Sequence, residues 1–118
     1  MKENVIKNKS YSFALKIVKL CDKLNQERQF VLSKQLLKSG TSIGANIEEA
    51  IGGQTQKDFR AKLFIAYKEA RESHYWLRLL RDSNLISKKY AQFLLNDCSE
   101  LKKILGAILN TMNDKLNG

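Results

Sequence analysis

No proline interrupts these 118 residues, and apolar side chains recur three and four positions apart along most of their length. Proline inside a helix removes a hydrogen bond and collides with the preceding turn, so a chain without it is free to run in long helices. Good helix formers such as Leu, Lys, Ala, Glu and Gln dominate, whereas turn-like clusters are few and far apart. The fold class that follows is all-α.

At about 100° per residue, Phe13, Ile17, Leu20, Cys21 and Leu24 share one face and predict a first helix over residues 10–26. Leu32, Leu36, Ile43, Ile47, Ala50 and Ile51 predict a second over 30–52, stopped by Gly52-Gly53. Thr55 and Asp58 form a variant of the capping box, and Phe59, Leu63, Ala66, Ala70, Leu77 and Leu80 carry a third helix over 56–82. Beyond the Ser83-Asn84 turn, Ser87 is a candidate cap for a fourth helix over 87–113, marked by Tyr90, Leu94, Leu101, Ile104, Leu105, Ile108 and Met112. The first nine residues and the polar tail NDKLNG are expected to be loose. Four helices with short links imply an antiparallel up-down-up-down four-helix bundle. With 43% hydrophobic residues, 1–118 is long enough to bury one core as a single domain without disulfides or metal.

The segment SGTSIGANIEEAIGG, residues 39–53, raises the question of a phosphate loop. Such a loop needs G-x-x-x-x-G-K-[ST] between a strand and a helix, and this segment lacks both the Lys and the context. Gly40 and Gly44 instead flank a helical apolar stripe. Glycine inside a helix costs about 1 kcal/mol relative to Ala, so two of them a turn apart point to close packing, with Phe59, Tyr67 and Trp76 of the third helix as expected occupants. Asn46 sits beside the stripe, placed to bond another helix or a backbone carbonyl. Glu49 projects outward, either solvated or paired with a base on a neighbouring chain.

The block Ser42-Ile43-Gly44-Ala45-Asn46-Ile47-Glu48-Glu49-Ala50, with KSYSFALKIVKL before it and DFRAKLFIAYKEARESHYWLRLL after it, resembles the four-helix bundle proteins encoded within 23S rRNA intervening sequences. The likeness covers about residues 9–110, and Ser42, Ile43, Asn46, Ile47 and Glu49 match the distinctive motif; Ala50 stands where many relatives have Gly. The resemblance implies a four-helix protomer assembled into a ring-like homopentamer with a basic surface, thought to bind nucleic acid and without known enzymatic activity. A related branch serves as the accessory protein of diversity-generating retroelements, which adds a reverse transcriptase to the implied partners.

Apolar residues exceed what one core can take. On the third helix Phe64, Tyr75 and Leu79, flanked by Ile65 and Trp76, lie away from the main stripe, and on the first helix Tyr11, Leu15 and Val18 do the same. Surplus faces of this kind argue for contacts between protomers. The alternative is a third helix that is simply central, touched on two sides by its own bundle.

The formal net charge is +9, which favours anionic partners or serves solubility alone. Lys9, Lys16, Lys19 and Lys23 share one arc of the first helix. Arg60, Arg71 and Arg78 align on the third, interleaved with Tyr67 and Tyr75, and guanidinium with aromatic planes suits single-stranded or looped RNA. Outward charge on an amphipathic helix is also ordinary solvation, and Arg71 or Arg78 has Glu69, Glu72 or the Glu49 of another chain as an alternative partner.

Catalytic chemistry is not legible. The single histidine, His74, falls at the edge of the third stripe with no nucleophile beside it. Glu48 and Glu49 point about 100° apart on a helix and share no ligand. Cys21 and Cys98 have no partner at metal-ligand spacing and read as core residues. Asp97 falls within the fourth apolar stripe, where a carboxylate needs an interhelical partner: Lys, Arg, Tyr or Asn. No catalytic, cofactor-binding or metal-binding residue is assigned. MKENVIKNKS lacks a signal-peptide core, and no apolar run approaches the roughly 18 residues of a membrane span, so a soluble cytoplasmic protein without a membrane partner is expected. The expectation is a non-enzymatic homo-oligomer binding nucleic acid, RNA more than DNA; the alternative is an oligomeric scaffold that recruits an acidic protein.

Overall fold

A computed structural model describes the backbone of residues 2–117 and the side chains of residues 4–114. Within it the apolar stripe of the first helix reaches back beyond Phe13: Ser10 and Ile6 continue it at helical spacing and both are buried. The helix accordingly runs Lys2–Gln26 (α1), and not from residue 10 as the sequence reading had it. The others are Phe30–Ile51 (α2), Gln56–Asp82 (α3) and Lys88–Asn117 (α4), so most of the expected loose tail is also helical. Leu109, buried near that end, holds α4 to the core. Met1 and Gly118, the ends of the segments expected to be loose, lie outside the described residues.

The helix ends follow from side chains at fixed offsets. Thr55, extended at φ −132° and ψ 158°, accepts a hydrogen bond from the Asp58 backbone N–H at 3.0 Å and starts α3. Ser87 accepts from the Tyr90 N–H at 3.1 Å and starts α4. The first and third turns share one stop signal. After α1, Gln29 N–H reaches the Leu24 carbonyl and Arg28 N–H that of Asn25; after α3, Leu85 reaches Leu80 and Asn84 reaches Arg81. This double bonding needs a left-handed residue, supplied by Arg28 at φ 64° and Asn84 at φ 61°. Gly52, by contrast, ends α2 with right-handed φ −81°.

The chain goes up, down, up and down, and each helix packs on its sequence neighbours; α1 and α4 close the square through a sparser seam. Phe13, Ile17, Leu24, Leu36, Ile43, Ile47, Leu63, Leu77, Leu80, Leu94 and Leu101 fill the interior. Ile51 and Tyr90, assigned to core stripes from sequence, are exposed because they sit in the terminal turns of their helices.

Small residues decide how α2 sits. Gly40 and Gly44 face α1, not the aromatic residues of α3: a Cβ at Gly40 would lie 2.8 Å from Ile17 Cγ2, and one at Gly44 3.3 Å from Ser10 Oγ. The α3 side of α2 presents Ser39 instead, whose Oγ accepts from Ser73 Oγ at 2.9 Å. Higher in the α1–α2 seam, Ser33 Oγ donates to the Cys21 carbonyl at 3.1 Å and Cys21 Sγ donates back to the Ser33 carbonyl at 3.4 Å. Buried hydroxyls thus stand where helices come close, each with a partner, as burial requires.

Candidate nucleic-acid interface

The flank of α1 that bears Lys9, Lys16, Lys19 and Lys23 faces α4, and there the lysine stripe divides. Lys9 Nζ lies 2.8 Å from Glu100 Oε1 and Lys16 Nζ 2.7 Å from Asp97 Oδ2. Lys16 also stands 4.7 Å above the Phe93 ring. The hydrogen bond and charge of Glu100 hold the Lys9 ammonium above its usual lysine range. These two lysines therefore serve the α1–α4 seam, and Asp97 has its interhelical partner. Lys19 and Lys23 are exposed, and among the described residues no carboxylate reaches either.

The arginine arc of α3 divides too, on its α4-facing flank. Arg60 Nε and Nη2 both donate to Asn113 Oδ1, at 2.9 and 2.6 Å, so this half-buried guanidinium ties the ends of two helices together. Tyr67 lies against α4, where a Cβ on Gly106 would meet its ring at 3.7 Å. Arg71 and Arg78 are exposed, with Arg78 5.7 Å above the Tyr75 ring. Tyr75 in turn meets Trp76 edge to face at 5.0 Å. Lys102 of α4 acts by its charge on His74 across the seam, as it does on Cys98 one turn back in its own helix. His74, half-buried, is pushed below its usual value first by desolvation and then by Lys102, Arg78 and Arg81. Among the described residues no carboxylate pairs with Arg71, Arg78 or Lys102; Arg81 at the end of the helix is taken by Asp82 at 2.8 Å. Arg71, Arg78 and Lys102 thus stand outside any ion pair among the described residues, unlike Lys9 and Lys16 of the α1–α4 seam, although the charges of Arg78 and Asp82 act on each other. Sequence reasoning missed Lys102 and the place of His74 because neither helix alone says which flank meets the other.

Of the motif residues, all but Glu49 face inward or serve α2 itself. Ile43 and Ile47 are fully buried. Ser42 Oγ donates to the Lys38 carbonyl at 2.6 Å and Asn46 Nδ2 to the Ser42 carbonyl at 2.8 Å, so Asn46 bonds its own helix rather than crossing. Glu49 lies 3.6 Å from Lys62 of α3 in the same chain.

One bundle leaves the surplus apolar faces uncovered. Tyr11 is 60% exposed, and Leu15, Val18, Phe64, Ile65, Tyr75 and Leu79 are also open; only Trp76 is half-buried, its Nε1 donating to Glu72 at 3.3 Å. Val31 at 76% and Phe93 at 53% are further exposed residues that the sequence reading did not single out. A cleft of about 600 Å³ at the α2–α3 turn, lined by residues such as Ile51, Thr55, Phe59 and Met112, carries no titratable group. Cys98, its thiol hydrogen-bonded to the Ala70 carbonyl at 3.1 Å, is pushed up to about 12 by burial. Among the described residues no cluster of three His, Cys, Asp or Glu could hold a metal, and no helix is long and apolar enough to cross a membrane.

A family model described as the 23S rRNA-intervening sequence protein matches residues 2–107. A crystal structure of a protein of unknown function from the S23 ribosomal protein family, from Bacteroides thetaiotaomicron VPI-5482, is 49% identical. That match covers 93% of this chain and 99% of the other, with a TM-score of 0.89. No curated protein matches the chain.

Proposed function

The chain belongs to the 23S rRNA-intervening sequence protein family, and from that premise we propose that it is a cytoplasmic, non-enzymatic homo-oligomer that binds nucleic acid, RNA in preference to DNA. The observation that carries this reading is the set of exposed or half-exposed cations beside the α3–α4 seam, Arg71, Arg78 and Lys102, that no carboxylate pairs among the described residues. Arg71 and Arg78 suit bidentate phosphate contacts. Lys19 and Lys23 extend the positive field on α1, whereas Lys9, Lys16 and Arg60 act within the fold. The open apolar faces of α1 and α3 support self-association, with the ring of five taken from family likeness. Such a ring repeats each groove around an axis, so modest contacts add through avidity. A reverse transcriptase bound to RNA is a partner compatible with that arrangement.

Binding of a labelled single strand and a matched hairpin across a salt series tests the reading. Wild type is expected to bind near physiological salt. Arg71→Gln with Arg78→Gln is expected to weaken binding and lower the salt slope by about 1.4, at roughly 0.7 per single-strand phosphate contact. Lys16→Gln, which removes a seam cation, is expected to change little. Loss of all binding with modest salt, alongside capture of an acidic protein that the double variant releases, favours the scaffold reading. Tyr75→Asp is expected to dissociate the oligomer in light scattering; an intact mass removes that face from the interface.

A further inference from the structure

We propose that the outer face of α3 is a self-complementary contact that pairs antiparallel with α3 of a second copy of this chain, so that Lys68 of each copy meets Glu72 of the other. The inference rests on the self-association reading and deepens it by naming the face and its symmetry. Ala61, Ile65, Lys68, Glu72, Tyr75 and Leu79 are all exposed and follow one another at alternating spacings of four and three. Such spacing is the seam of a helix that packs along another helix, and from Ala61 to Leu79 it runs about 27 Å at 1.5 Å per residue. No element of the bundle covers it: Ile65 is 40%, Tyr75 46% and Leu79 38% exposed, with Phe64 at 47% beside them.

The order of residues along the seam selects the occupant. Counted outward from position 70, Lys68 and Glu72 come first, Ile65 and Tyr75 next, Ala61 and Leu79 last. Turned end for end, the seam sets charge on opposite charge at its middle, an aromatic ring on a β-branched residue beyond, and a large residue on a small one at each end. Neither Lys68 nor Glu72 is in an ion pair among the described residues. Lys68 lies 6.0 Å over the Phe64 ring, and Glu72 accepts the Trp76 indole N–H at 3.3 Å. A parallel copy in register would oppose Lys68 to Lys68 and Glu72 to Glu72, so the central pair favours the antiparallel arrangement, as a polar layer does in any helical seam. Two-fold symmetry forms both charge pairs at once and is satisfied by one partner. It also keeps each flank of α3 on its own side. Arg71 therefore meets Arg71 on the α4 flank, adding to the cations there, and Glu69 meets Glu69 on the α2 flank, where the charge of Lys38 acts on it. A ring of five built on other faces would be joined to a second ring by this contact.

Charge reversal at the two central positions tests the pairing, since both are exposed and neither variant disturbs the core. Assembly mass is measured by light scattering over a dilution series for wild type, Lys68→Glu, Glu72→Lys and the double variant, with circular dichroism confirming the fold of each. Wild type is expected to hold an even number of chains. Each single reversal opposes like charges twice across the axis and is expected to weaken the pairing about tenfold or more. The double variant restores both pairs and is expected to return the wild-type mass. Mixing the two single variants in equal amounts is the sharper test. Across an antiparallel pair every charge then meets its opposite, so the mixture is expected to associate where neither variant does alone. A mixture no more associated than its components, or an assembly whose mass neither reversal changes, overturns the α3 pairing and leaves self-association to other faces. Wild type that stays monomeric at every concentration refutes the self-association reading itself.

Discussion

Adding one methyl group to either of two helical glycines should move stability in opposite directions. At Gly106 of α4, a Cβ would stand 3.7 Å from the Tyr67 ring, an ordinary contact. Gly106→Ala therefore keeps the full gain in helix propensity and is expected to stabilise by about 1 kcal/mol. At Gly40 of α2 the same methyl would lie 2.8 Å from Ile17 Cγ2 and 3.0 Å from Cγ1. Ile17 is fully buried, and its β-branched side chain has few rotamers to escape into. Overpacking of this kind costs roughly 2 kcal/mol. Set against the same propensity gain of about 1 kcal/mol, it leaves Gly40→Ala destabilised by about 1 kcal/mol. Urea unfolding at one fixed chain concentration reads both, since self-association would otherwise shift the midpoints. In a thermal melt the two variants should lie on either side of wild type by about 3–6 °C each. Equal stabilisation by both substitutions would refute the claim that Gly40 is held for the approach of α1 to α2.

The buried hydroxyl pair gives a second test: Ser39→Ala removes the acceptor of Ser73 and should cost about 1–2 kcal/mol, whereas the double variant with Ser73→Ala should cost less than the sum of the singles. Additive losses would mean that the 2.9 Å contact is energetically idle. The Lys16–Asp97 pair is only partly enclosed, with about a third of each side chain exposed, so Asp97→Asn should lose no more than about 1 kcal/mol, and that loss should shrink in high salt. In the folded protein without ligand, His74 titrates below its ordinary 6.5. The unfolded chain then binds the proton first, so its contribution to stability is complete above pH 6.5 and is lost as pH falls below 6.5 and through the lower folded value. His74→Gln should flatten this slope in urea titrations, and an unchanged slope would assign it to carboxylates instead.

Much of this architecture was legible in local pattern. The core stripes around Phe13, Ile17, Leu36, Ile43, Leu63, Leu77, Leu94 and Leu101 follow from helical periodicity, and the Thr55 and Ser87 caps from residue type and offset. The motif block matched the family mostly through residues that are buried or bonded within α2, with Glu49 paired to Lys62 of α3, so it identifies the bundle and not the surface that acts. The candidate site was legible only in part. Lys9, Lys16 and Arg60 look identical to Lys19, Lys23 and Arg71 on a helical wheel, yet the first three are bound to Glu100, Asp97 and Asn113.

Sequence by itself determined four amphipathic helices, their order and their antiparallel links, because a hydrophobic period and a capping residue act within a few residues of chain. Tertiary structure alone decided which flank of each helix meets which neighbour. That choice sent Gly40 and Gly44 to α1, spent two lysines on the α1–α4 seam, and left Arg71, Arg78 and Lys102 outside any ion pair among the described residues. Its physical origin is close packing between residues far apart in the chain, where side-chain volume and charge pairing select among registers that periodicity leaves equivalent.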